Sequence, residues 1–93
     1  MTNVYVEDRG NNRVEIKLVG HAGYDPGHDI VCASISTIAG FLAKTCEQIS
    51  GAEVKILPGD CSFYMPKDRV IEVVKSQFKD LAEQYPANVK INF

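Results

Sequence analysis

The 93-residue sequence has no marked excess of charge of either sign: ten Lys and Arg oppose twelve Asp and Glu, a formal net charge of -2. A chain so balanced offers no broad attraction to a phosphate backbone, so direct nucleic-acid binding is not expected. It also lacks any run approaching the ~20 consecutive apolar residues that span a bilayer. Its first residues, Met1 to Tyr5, carry no basic segment followed by an apolar one. The expectation is a cytoplasmic protein with no membrane partner. The three cysteines, Cys32, Cys46 and Cys61, are odd in number and widely spaced, which argues for free thiols and against the paired framework of a small secreted domain. There is no Cys-x-x-Cys or His-Glu-x-x-His pair, so no metal site is expected even though His21, His28, Asp29 and Cys32 lie close in sequence. No repeat or low-complexity segment interrupts the chain.

What is present suits one globular domain over residues 1–93: 45% hydrophobic and 24% charged residues are enough to build a core. Val4 and Val6 alternate with polar neighbours. After the turn-forming run Asp8 to Asn12 the alternation resumes at Val14, Ile16 and Leu18, predicting a hairpin with one buried face. From Ile30 the period changes to that of a helix, with Val31, Ile35, Ile38, Leu42, Cys46 and Ile49 on one stripe and Gly51 placed to end it. Phe41 falls off this stripe and is expected to face a second layer or a partner. Val54 and Ile56, then Phe63 and Met65, flank Pro58-Gly59-Asp60 as a second hairpin. Pro66 is expected to introduce a second helix, with Val70, Ile71, Val74, Phe78, Leu81 and Tyr85 on its apolar face, and Pro86 to stop it. Val89, Ile91 and Phe93 alternate as a last strand. The predicted fold is α/β (α+β), in the order ββαββαβ, with both helices packed on one face of a mixed sheet.

The segment Gly20 to Ala33 joins a strand to a helix and contains three glycines and a proline, the composition of a loop with unusual backbone demands. Asp29 is placed to cap the helix, which puts Cys32 in its first turn. A thiol there meets the positive end of the helix dipole and unpaired N–H groups, an environment that favours the nucleophilic thiolate. His21, at the end of the preceding strand, is placed to take the thiol proton. His28 is the rival base, ranked lower because it sits beside the cap. A lone cysteine on a helix is more often a packing residue, a reading that suits Cys46. Cys61, at a strand start, reads as structural or exposed. The hydroxyls of Ser34, Ser36 and Thr37 ordinarily satisfy themselves on the preceding turn, although Ser36, one turn past Cys32, is also placed to touch substrate. Tyr24 and Asp25 form a candidate lid tip, hinged at Gly23 and Gly27.

Two motifs at this separation, Gly20-His21-Ala22 and Gly27-His28-Asp29-Ile30-Val31-Cys32-Ala33 with Ser36 after them, resemble the ribosomal-processing cysteine protease family called Prp. The resemblance implies a small homodimeric α/β enzyme without a cofactor. Its substrate would be the precursor of a large-subunit ribosomal protein, cut after aromatic residues to remove a short N-terminal extension. By position it implies His21 as catalytic base and acid and Cys32 as nucleophile, with Gly20, Asp29 and Ser36 as supporting or substrate-binding residues. Two rivals remain at the level of sequence. One is a non-enzymatic module binding a ribosomal protein or ribosomal RNA during assembly. The other is a thiol redox or metal sensor, which needs Cys46 or Cys61 close to Cys32.

Overall fold

The computed structural model describes residues 1–21, 23 and 29–93. Strand β1 (Thr2–Gly10) turns through Asn11 and Asn12 into β2 (Arg13–Val19). Both turn residues have positive φ, 53° and 60°, as a two-residue type I′ hairpin turn requires, and asparagine tolerates that conformation better than most residues. Helix α1 (Ile30–Glu47) follows, then β3 (Glu53–Leu57), β4 (Asp60–Pro66), helix α2 (Arg69–Gln84) and β5 (Val89–Asn92). The strands form one sheet in the order β3-β4-β2-β1-β5. It is mixed: β5 lies parallel to β1, and the other pairings are antiparallel.

The register explains where the core sits. Val4 pairs with Leu18, Ile16 with Phe63 and Leu18 with Cys61, while β5 sets Ile91 beside Val4. Directly paired residues share a face, so the alternating apolar positions of four strands coincide. Both helices pack on that face: Val31, Ile35, Ala39, Leu42 and Cys46 of α1 and Ile71, Val74, Phe78 and Leu81 of α2 join the strand residues in one buried cluster. Among the described residues α1 is the one helix whose length and mean hydropathy, 1.3, would suffice to span a bilayer. Five of its side chains are buried and form one wall of the core.

Two boundaries and one stripe differ from the sequence reading. Pro66 does not introduce α2 but closes β4, paired with Arg13; the helix is started by Asp68, whose carboxylate accepts the N–H of Val70 at 3.0 Å. Helix α1 ends at Glu47 rather than running to Gly51. The Gln48 and Ile49 N–H groups tighten onto the carbonyls of Thr45 and Cys46, each at 3.1 Å, which closes the last turn and carries Ile49 out of the helix while keeping it against the core. The stripe of α1 also runs through Ala39, with Ile38 only partly buried. Phe41 is half exposed, beside Val73 and Val74 of α2, in a shallow groove between the helices.

Candidate active site

The ladder between β2 and β4 ends at Val19 paired with Asp60. One residue on, the Gly20 N–H donates to the Gly59 carbonyl at 2.8 Å, tying the exit of β2 to the β3–β4 turn. That turn is Pro58-Gly59, with Leu57 and Asp60 paired across it. Proline followed by glycine at φ 70° is the residue order of a type II turn. Gly20 itself has φ 97°, and a Cβ there would collide with the carbonyl oxygen of Met1. The chain before His21 therefore passes where only glycine fits.

His21 follows, exposed at the rim. Its imidazole rests against the bare Cα of Gly59 and makes no hydrogen bond among the described residues, the Cys32 thiol included. Across from the hairpin, α1 opens with the predicted cap: the Cys32 N–H donates to Asp29 Oδ1 at 2.8 Å, and the Ala33 N–H to the Asp29 carbonyl at 3.0 Å. Cys32 is thus the third residue of the helix, part-buried, with its sulfur free.

His21 and Cys32 open onto one cleft of about 460 Å³ between α1 and the β3–β4 hairpin. Its floor and walls are largely apolar, including Leu18, Ile35, Ala39, Ile56 and Leu57. Gly20 and Ser36 line it too. The Ser34 and Thr37 hydroxyls donate to the Ile30 and Ala33 carbonyls at 2.8 and 2.9 Å, as expected of helical hydroxyls. Ser36 makes no such bond and faces the cleft. Val54, Ile56 and Leu57 are exposed although β3 belongs to the sheet, and Ile56 and Leu57 form the open wall of the cleft.

The other two thiols differ in surroundings. Cys46 is buried within the core, which pushes its thiol above the ordinary value. Cys61 is part-buried, lies in the cleft and points its Sγ at the Leu57 carbonyl, 3.8 Å away; burial raises its thiol as well, partly offset by that contact. A cleft-lining role for Cys61 was not legible in the sequence, because it depends on the pairing of Cys61 with Leu18. Among the described residues no three His, Cys, Asp or Glu side chains gather as a metal site. His28, Tyr24, Asp25 and Gly27, the rival base and the candidate lid, lie outside the described residues; Gly23 is described and exposed, at φ 64°.

A part-buried thiol at a helix start, an imidazole on the facing wall and an apolar cleft between them can perform acyl transfer on an extended peptide. Comparison with known proteins agrees. The family model described as cysteine protease Prp matches residues 1–90. A crystal structure of an essential ribosomal processing protease Prp from S. aureus, in complex with a covalently linked product peptide, superposes with a TM-score of 0.78 at 20% identity, covering 99% of this chain and 98% of that one. A Streptococcus mutans protein superposes with a TM-score of 0.67 at 23% identity, covering 99% and 92%. At those identities the two structures establish the shared fold. No curated protein matches the chain.

Proposed function

The chain belongs to the cysteine protease Prp family, and from that premise we propose that Cys32 is its nucleophile, His21 its proton carrier and a ribosomal-protein precursor its substrate. The observation that carries the assignment is that these two side chains, eleven residues apart across a loop, line the same cleft. The Cys32 thiolate attacks the scissile carbonyl carbon. As the C–N bond breaks, His21 gives the proton taken from the thiol to the leaving amine, and water then hydrolyses the Cys32 thioester. In the free protein the imidazole rests on Gly59 and makes no hydrogen bond to the Cys32 thiol; with the ring on that seat, a peptide bound in the cleft tightens the contact between the two groups, as apo sites often require.

Two features support an extended peptide as substrate. The cleft is apolar along Ile35, Ala39, Ile56 and Leu57, which suits aromatic side chains on the acyl side of the cut. The S. aureus protein of the same fold was solved with a product peptide covalently attached. Removal of the N-terminal extension of a large-subunit ribosomal protein is the specific reaction proposed, in the cytoplasm and by a homodimer. Phe41, on the side of α1 away from the cleft, and Val73 of α2 beside it are exposed and offer an apolar surface for that dimer. Incubation with the precursor, followed by mass measurement of the products, tests the reaction: one cut near the N-terminus is expected from the wild type and none from Cys32→Ala or His21→Ala. Equal cleavage by either variant removes that residue from the mechanism.

A further inference from the structure

On the hairpin wall of the cleft, two residues that neither motif pairs lie against each other, His21 and Gly59. A Cβ placed on Gly59 would lie 2.8 Å from His21 Nε2 and 3.3 and 3.4 Å from Cε1 and Cδ2. All three distances fall inside ordinary carbon contact, so the ring occupies the volume that any side chain at position 59 would need. The backbone fixes the same relationship, because the Gly20 N–H is bonded to the Gly59 carbonyl. His21 is thereby held to the hairpin twice, once through its preceding residue and once through its ring.

We propose that Gly59 is the positioning residue for His21. Its bare Cα is the seat on which the imidazole stands, on the hairpin wall of the cleft that Cys32 also lines. The proposal rests on the reading of His21 as proton carrier and extends it to the β3–β4 turn, 38 residues along the chain. Glycine is needed at position 59 for two separable reasons. Its φ of 70° favours glycine in the turn, and its missing side chain makes room for the ring. Gly10 isolates the first reason: its φ is 77°, and nothing lies within 4 Å of a Cβ placed there.

The test compares Gly59→Ala with Gly10→Ala, reading the ring-proton NMR signals of His21, assigned with His21→Asn, together with peptide cleavage. The wild type should show a cross-relaxation peak between the Gly59 Hα protons and the His21 ring. Gly59→Ala should displace the His21 signals and lower kcat by roughly 10- to 100-fold with KM changed less than about threefold, the pattern of a misplaced catalytic group. Gly10→Ala should do neither. The proposal is overturned if the wild-type peak is missing, if the His21 signals stay in place in Gly59→Ala, or if they move while kcat stays above half the wild-type value. Should Gly59→Ala fail to fold, the wild-type peak alone decides. If the wild type cleaves no peptide, the functional reading fails, and the peak and the signals still decide whether the seat exists.

Discussion

Asp29 Oδ1 accepts the backbone N–H of Cys32 at 2.8 Å, so one carboxylate both starts α1 and fixes the backbone of the candidate nucleophile. An N-cap accepts from the N–H two or three residues on and leaves the remaining first-turn N–H groups directed outward. Here the capped residue carries a sulfur at the edge of an apolar cleft. Cap and candidate nucleophile are therefore inseparable at this position.

Removing the cap should affect stability and chemistry together. Asp29→Ala is expected to cost about 1 kcal/mol of unfolding free energy and to slow cleavage, while Asp29→Asn, still an acceptor of the right length, should keep most of both. Urea unfolding alongside kinetics checks this. An Asp29→Ala protein with undiminished activity would mean that the helix start does not set the position of the sulfur.

His21 is exposed and makes no hydrogen bond among the described residues, so the fold does not depend on its side chain. His21→Ala should unfold within about 0.5 kcal/mol of the wild type yet lose roughly 100- to 10,000-fold in kcat, the usual contribution of a general acid–base group. A large loss of stability would instead make His21 a structural residue.

Ser36 tests the route of the peptide. It is exposed, makes no side-chain hydrogen bond among the described residues and lies on the α1 wall of the cleft. Ser36→Phe adds a ring to that wall without disturbing the core, and should raise KM with little change in melting temperature. An unchanged KM would place the substrate elsewhere.

Cys46 gives stability a pH dependence. Burial raises its thiol in the folded state above the ordinary value of 9.0, so the unfolded chain loses this proton first as pH rises. The contribution is fully present below the unfolded value and disappears as pH climbs through the folded one. Unfolding free energy should accordingly fall at alkaline pH, and less steeply in Cys46→Ala, although that variant starts lower because it leaves a cavity in the core. Parallel pH profiles for the two proteins would contradict this.

Local patterns in the sequence disclosed most of the fold, because the deciding interactions are local or periodic. Val14, Ile16 and Leu18 alternate and so share a face, and Asp29 lies at capping distance from Cys32. The errors fall where competing signals coincide. Pro66 suits a helix start as well as an edge position, and pairing with Arg13 decided for the strand. Gly51 resembles a helix terminator, yet the final turn closed three residues earlier on its own carbonyls. The seat of His21 on Gly59 left no trace in either motif, since it arises from a hairpin formed 38 residues downstream.

The central claim is that Cys32, and not the second thiol of the same cleft, attacks the peptide. Acid quenching of the protein during turnover of a precursor peptide, followed by digestion and mass mapping, locates the acyl group directly. The account predicts a thioester on Cys32 and none on Cys61. An adduct on Cys61, or cleavage that proceeds with no acyl-enzyme at either sulfur, would contradict it.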